Sequence, residues 1–407
     1  MAAQPRLRGM DHDVLIAGAG PAGLCLARAL SGCGLRIGLV EPQPEAALAD
    51  PPFDGREIAL TQHSSRILRT LGLWDHLGSA DLSPLRDARI FDGPSPEALV
   101  ISHARTRHGE LGWLVSNHLI RRAAWCVVQD ARARNDDIRL YSPHRVVTAH
   151  SDTTRAQVRL DDGRALSARL LVAADSRFSP TRRAMGIAAD QHDFGRNMLV
   201  CVMTHAQPHD HAAWEWFDHG QTLALLPMND DPVTGAHRSS VVVTLRAPEI
   251  ERLAALTPPQ FEQELTQRFA RRLGAMQLAS SRHVYPLVGV YPRELVAQRF
   301  ACVGDAAVGM HPVTAHGFNF GLLGVERLAT LVRETQGRGE DIATSALLQR
   351  YARGHRLATQ PLYLATRWIA QLYTAESPPA RALRQLALRW ARHTPPFQHL
   401  VAAALTG

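Results

Sequence analysis

The chain has 407 residues, 45% of them apolar, and a formal charge of +7 at neutral pH, long enough for two domains or for one large α/β domain carrying an inserted one. All 45 basic residues are arginine, which excludes a lysine-bearing phosphate loop, a Schiff-base lysine and any step that needs an ammonium side chain. The arginines are spread without a basic run or interleaved aromatics, so no nucleic-acid partner is expected, and the apolar runs are strand-sized, far below the roughly 20 residues of a membrane span. Five scattered cysteines (Cys25, Cys33, Cys126, Cys201, Cys302) show no metal-ligand spacing and read as reduced core thiols. His209 and His211 stand in a Pro/Asp-rich stretch that reads as a solvated loop; no metal is expected. The N-terminal MAAQPRLRGM lacks the pattern of a cleaved signal, so the cytoplasm is the expected compartment.

Taken in chain order, Val14 to Ala17 read as a buried strand, Gly18, Gly20 and Gly23 as a G-x-G-x-x-G turn, and Leu24 to Leu30 as a helix. This βα start places Gly18, Gly20, Ala22 and Gly23 as the binding turn for a dinucleotide. Gly18 allows the tight turn, Gly20 lets backbone amides approach a diphosphate, Gly23 lets helix and strand pack closely, and the helix offers its positive end. A second strand, Arg36 to Val40, ends in Glu41, placed to accept hydrogen bonds from a ribose diol and to repel a 2′-phosphate.

Further along, Arg56 precedes the apolar pair Ile58 and Ala59, where it serves either as a bidentate clamp on a pyrophosphate or as a solvated surface arginine. Ser64 to Leu71 and Asn117 to Val128 read as helices, Ala88 to Phe91 as a short strand, and Arg139 to Val147 and Ala156 to Leu160 as strands followed by a hairpin turn at Asp161 to Gly163. Leu170 to Ala173 form a buried strand delivering Asp175 to its C-terminal end, where ligands collect in open α/β sheets, with Arg182 at the following helix start. From Phe194 to Tyr285 alternating strands (Met198 to Thr204, Thr222 to Leu226, Ser239 to Leu245) and one helix (Pro258 to Leu273) read as an inserted domain, its Trp214-Glu215-Trp216 segment contributing two apolar positions on the substrate side. A second glycine segment, Phe300 to Gly321, completes the dinucleotide pocket, and the remainder is mainly helical. Between Arg381 and Arg392 a helix would gather four arginines on one arc opposite Leu383, Leu386 and Trp390, a face suited to anionic lipid or a partner enzyme or to docking on its own core.

With Gly18 to Gly23, Asp175 and Gly304-Asp305 in this order and spacing, the whole chain resembles the FAD-dependent single-component aromatic hydroxylases of the p-hydroxybenzoate hydroxylase fold. Within that superfamily the segments GDAAVGMHPVTAHGFNFGL and DGREIAL resemble the ubiquinone-biosynthesis hydroxylases. The resemblance implies an α/β fold, with a Rossmann-like FAD-binding domain (1–78, 111–190 and 286–345), an inserted β-rich α+β substrate domain (79–110 and 191–285) and a C-terminal helical segment (346–407). Carried over residue by residue, Gly304 and Asp305 hold the ribityl chain of FAD, while Pro312 to Asn319, including Gly317, Phe318 and Asn319, run under the flavin. Arg56 and Asn117 match cofactor-touching positions. Asp175 and Arg182 match a motif implicated in both FAD and nicotinamide binding. Two departures stand out: Ser176 replaces the usual glycine after Asp175, and Ala315 replaces the first glycine before Asn319.

The chemistry the resemblance implies is reduction of FAD by NAD(P)H, capture of O₂ as a flavin C4a-hydroperoxide and hydroxylation of a polyprenylated phenol or quinol, with the C5 demethoxyubiquinol step and other ring positions as expected reactions. His311, Pro312 and His316 are the expected catalytic set, the histidines assisting proton movement or simply packing. A tail-bearing substrate implies peripheral contact with the inner face of the membrane or with a ubiquinone-biosynthesis complex. The alternatives are a hydroxylase of another phenol, a flavin-dependent isoprenoid reductase and a flavin-binding scaffold without turnover; the flavin-dependent halogenases, which need an active-site lysine, are excluded.

Overall fold

A computed structural model describes residues 9–374 except 94, 96, 135, 136, 219 and 311–315. The first sheet is organised around His12–Ala17, which runs parallel to Ile37–Val40 on one side and to Ala165–Ala173 on the other. Ile138–Tyr141 and Phe300–Cys302 continue it outward, again in parallel. The central strands are apolar at successive positions because both faces are covered: Val14, Leu15, Ile16, Leu170, Leu171 and Val172 are all essentially inaccessible. The helices Pro21–Leu30, Asn117–Ala133 and Gly317–Gly337 contribute to the same core.

The run expected as one strand from Arg139 to Val147 is divided. Ile138–Tyr141 joins the parallel sheet, whereas Val146–Ser151 turns into an antiparallel ladder with Ala156–Leu160. Pro143 lies between them and has no amide for a ladder. Likewise the helix expected from Pro258 to Leu273 stops at Arg268, because Ala270 and Arg271 take positive φ of 49° and 56°, a conformation helices cannot continue through.

The second sheet contains, in spatial order, Met276–Leu278, Ala189–His205, His237–Leu245, Gln221–Met228, Ala212–Asp218, Asp87–Asp92 and Ala98–Ser102, with His283–Pro292 also on Ala189–His205. One face is covered by the helices Ala247–Ala255 and Pro258–Arg268, whose Ile250, Leu253, Phe261 and Leu265 pack on Leu199, Cys201, Leu223, Leu225, Val241 and Val243. Period-two alternation sends Trp214 and Trp216 into this helix-covered core. The expectation that the two indoles line the substrate side is therefore corrected; the residue between them, Glu215, takes the other face. A third, three-stranded sheet of Glu57–Thr61, Gly112–Ser116 and Ser83–Leu85 lies against that other face. There Leu85 and Leu111 pack with Ala88 and Ile90, and a cavity of about 370 Å³ is shared by Glu57, Ser83 and Ser116 of the small sheet with Val202, Met228 and Arg238 of the large one.

His209 departs from its expected place in a solvated loop. It is buried and bonds the Met228 carbonyl at 2.9 Å, its ring 5.7 Å from those of both His205 and His211. Burial holds all three below the ordinary histidine range, His205 at about 4. Among the described residues the one group with metal-ligand proximity is His144, Asp161 and Asp162, at the surface.

Candidate active site and family membership

Each glycine of the first motif answers a different constraint. Gly18 has φ of +104°, and a Cβ there would come within 2.6 Å of the Ala174 carbonyl oxygen; both its conformation and the neighbouring strand exclude a side chain. A Cβ on Gly23 would overlap the Gly18 carbonyl oxygen itself. Gly20 caps the helix Pro21–Leu30 and faces open space, with nothing within 4 Å of where its Cβ would stand. Helix geometry leaves the first-turn amides of Ala22 and Gly23 without intrahelical acceptors, and no acidic residue occupies that turn. Glu41 is buried beside them; its Oε2 accepts from the Ala19 amide at 2.8 Å and its Oε1 from the Gln43 amide at 3.0 Å. Each oxygen retains capacity for a further donor.

The second motif docks onto the first through small residues. Gly304 has φ of +62°, and a Cβ on it would lie 2.6 Å from Ala22 Cβ; a Cβ on Gly321 would lie 3.3 Å from Gly304 Cα. Asp305 thereby emerges exposed beside the helix N-terminus, and Arg177 reaches its Oδ2 at 3.3 Å while also donating to the Val288 carbonyl at 3.1 Å. Arg177 went unremarked in the sequence because the pairing spans 128 residues. Asp175 turns inward: its carboxylate accepts from the Ser176 amide at 3.1 Å and the Thr181 amide at 3.2 Å. Arg182 is 1% exposed and ties the Arg177 carbonyl to the Ala306 carbonyl, both at 3.1 Å. It braces the Asp305 loop from beneath. Ser176 has none of the positive φ that would call for glycine, so this departure from the family pattern carries no backbone strain.

Arg56 and Asn117 meet on Asp54, a residue to which no motif assigns a role. Asp54 accepts from Arg56 Nη2 at 2.6 Å and from Asn117 Nδ2 at 2.7 Å. Burial alone would push the Asp54 carboxyl up, but these donors outweigh it and hold it below its usual range. The Arg56 guanidinium, its side chain still half exposed, is held above its ordinary value by the same carboxylate. It also lies over the Tyr285 ring, whose hydroxyl donates to the Asp54 carbonyl at 2.7 Å. Next to Arg56, Glu57 is hydrogen-bonded by Ser116; burial pushes it up to about 7, against the opposing effects of Ser116 and Arg238.

At the start of Gly317–Gly337, His316 is buried, its ring 5.7 Å from that of Phe320. Gly317 faces open space, and Phe318 packs on the first core. Asn319 bridges to the small sheet, accepting from the Thr61 amide at 3.1 Å and donating to the Ala59 carbonyl at 2.8 Å. His311, Pro312 and Ala315 lie outside the described residues.

These features fit a long dinucleotide. There is free space in front of Gly20 and Gly317, unmet amides lie at a helix N-terminus, acceptor capacity remains on Glu41, and Asp305 presents an exposed carboxylate at the seam of the two motifs.

Comparison with known proteins agrees. Residues 11–362 match the family described as FAD binding domain. The chain is 43% identical over 402 residues to ubiquinone hydroxylase UbiM of Neisseria meningitidis, covering 98% of this chain and 85% of that protein. It is 33% identical to ubiquinone hydroxylase UbiL of Rhodospirillum rubrum, covering 95% and 88%. Among solved structures, p-nitrophenol 4-monooxygenase PnpA of Pseudomonas putida superposes with a TM-score of 0.75 at 18% identity over 97% of this chain and 98% of that one. HpxO of Klebsiella pneumoniae, solved with FAD and uric acid, gives 0.73 at 20% identity over 99% and 98%; at such identities these two show the fold alone. With its paired dinucleotide motifs docked on one another, the chain belongs to the FAD-binding flavoprotein hydroxylases, in the ubiquinone hydroxylase family.

Proposed function

We propose that this FAD-dependent hydroxylase adds one oxygen atom from O₂ to the ring of a polyprenylated phenol or quinol on the route to ubiquinone, with NAD(P)H as electron donor. The observation that carries this reading is the 43% identity to a ubiquinone hydroxylase over nearly the whole chain, joined to a dinucleotide site in which Gly18, Gly23 and Gly304 stand where a side chain would clash. When bound, FAD supplies the two-electron chemistry and the activation of O₂. The protein does the rest. The amides at the Pro21–Leu30 N-terminus hold the diphosphate, Glu41 accepts from the ribose, and Asp305, fixed by Arg177, accepts from the ribityl hydroxyls. Arg56, oriented by Asp54, adds positive charge on the same side. The helix Gly317–Gly337 has no acid in its first turn and favours negative charge at its amino end. His311, Pro312 and His316 are assigned to the loop that borders the reacting ring, with His316 as a proton carrier.

Among the described residues no helix is long and apolar enough to cross a membrane. A tail-bearing substrate therefore has to be met at the membrane surface. The exposed Leu357, Leu364 and Trp368 on the helix Ser345–Thr374 support contact with the inner face of the membrane or with a ubiquinone-biosynthesis complex. The segment Arg381 to Arg392 considered for that role lies outside the described residues. Expression in a strain missing one ubiquinone ring hydroxylase is expected to restore quinone carrying ¹⁸O from ¹⁸O₂. Soluble, flavin-loaded protein that rescues no such strain would overturn the substrate assignment and leave a hydroxylase of another phenol.

A further inference from the structure

The large sheet has one helix-covered face and one that looks toward the small sheet, and strand register decides what each presents. Glu215 pairs with Ala224, Ala224 with Val242, Val242 with Val200 and Val200 with His283. On the other flank Glu215 pairs with Ile90. Along this row the second face carries Ile90, Glu215, Ala224, Val242 and Val200, one carboxyl in an otherwise apolar stripe.

Two contacts show where that stripe looks. Ile90, the immediate neighbour of Glu215, packs against the cluster of Ile101 and Leu111, as does Leu85, and Leu85 is in register with Gly112 and, beyond it, Thr61. The Thr61 amide is the group held by Asn319, in the first turn of the helix that follows the expected flavin loop. At the far end, His283 and Val200 abut Gly55, next to Arg56. The apolar stripe thus spans the space between the small sheet and the cofactor-binding half. The side chain of Glu215 is half-buried on this face.

We propose that Glu215 binds the ring hydroxyl of the substrate, its carboxylate taking first the hydrogen bond and then the proton of the hydroxyl ortho or para to the carbon that is hydroxylated. This rests on the phenol or quinol reading above. The proton passes from the hydroxyl oxygen to a carboxylate oxygen, and the electron pair left behind raises electron density at the ortho and para carbons, where the hydroxylation proposed above delivers its oxygen. When that carbon loses its hydrogen as a proton and the ring becomes aromatic again, Glu215 returns the first proton to the ring oxygen. The proton shed by that carbon is taken up by the second oxygen atom of O₂, which leaves as water, so atoms and charge balance with O₂ and NAD(P)H as the only co-reactants.

Burial alone, with no compensating cation, pushes the Glu215 carboxyl up to about 8. Against a phenol near 10, the uphill gap shrinks to about two units from the five or more that an ordinary carboxylate would face. Among the described residues the alternation also places Asp92 on this face, opposite Phe217 and one pair removed from Glu215, and, farther along it, Arg238, paired with Met228.

The test compares wild-type holoenzyme with Glu215→Gln and Glu215→Asp, using a short-tailed prenylated phenol and its O-methyl ether as probes. Glu215→Gln is expected to keep its FAD and melting temperature, to lose at least about 100-fold in kcat, and to lose the preference for phenol over ether that wild type shows in binding. Glu215→Asp should recover part of the rate. A Gln variant with wild-type kcat and unchanged discrimination would overturn the assignment of Glu215 alone. Wild-type enzyme that neither binds nor turns over any prenylated phenol would overturn the substrate reading, and this proposal with it.

Discussion

Gly20 and Gly23 stand three residues apart in one motif, yet alanine at each should fail for opposite reasons. Alanine at 23 would overlap the Gly18 carbonyl, a backbone atom that cannot rotate away, and would lie 3.4 Å from Ala174 Cβ. Relief requires the helix Pro21–Leu30 to move off the sheet, an overpacking cost of about 1–3 kcal/mol. Better helix propensity returns at most ~1 kcal/mol. Because the overlap is with backbone, the cost falls at the upper end of that range and the net loss is about 2–3 kcal/mol, a fall of roughly 2–4 °C in the melting temperature of an apoprotein of this length, with flavin lost as the cradle opens. Alanine at 20 meets nothing within 4 Å, so the apoprotein should melt within about 1–2 °C of wild type, the cap change being worth a few tenths to 1 kcal/mol. Its methyl would instead occupy the diphosphate approach, and FAD affinity should fall at least about tenfold, or ~1.4 kcal/mol. Apoprotein melting curves and flavin titration separate the two. Full FAD affinity in Gly20→Ala, or wild-type stability in Gly23→Ala, would refute the division of roles.

Asp305→Ala is expected to weaken FAD retention more than Asp175→Ala, because Asp305 is exposed at the seam while Asp175 caps backbone amides; equal flavin dissociation constants would contradict this. Ser176→Gly should leave FAD binding intact and speed reduction by NAD(P)H, measured by anaerobic stopped flow; an unchanged rate would remove the serine from the account of the donor site. Glu57 is raised from the ordinary carboxylate value to about 7, so its ionisation opposes folding. That contribution to stability is intact below about pH 4.5 and is lost as pH rises to about 7, so wild type should lose more melting temperature than Glu57→Gln over this window; parallel pH profiles would dismiss the effect.

The parts of the site that could be read from sequence are those fixed by local backbone demands. Gly18, Gly20 and Gly23 sit within one turn, and Glu41 ends the adjoining strand; spacing alone conveys their roles. What could not be read depends on partners brought together by the fold. Arg56 remained divided between clamp and surface residue until Asp54, Asn117 and Tyr285 were seen to orient it. Arg182 matched a binding motif but is enclosed beneath the Asp305 loop. The WEW segment declared a strand but not which of its faces was covered, because alternation fixes relative sides and only the helices Ala247–Ala255 and Pro258–Arg268 choose between them. His209 looked solvated for a similar reason: Pro and Asp nearby describe the local chain, while the Met228 carbonyl that buries its ring comes from another strand.

The contact of Gly304 with Ala22 and Gly321 has a bearing on biosynthesis. One wall of the flavin site is made within the first few dozen residues, but the opposing wall emerges from the ribosome only after about three hundred. At roughly 5–20 residues per second, the nascent chain passes many seconds with the Leu171–Ala173 end of its strand as an open edge, awaiting Phe300–Cys302, and unpaired parallel edges invite association with other chains. Cofactor capture must then be a late, nearly post-translational event that seals a long-range closure. Flavin starvation during expression should therefore appear as aggregation of newly made chains, while molecules already loaded persist.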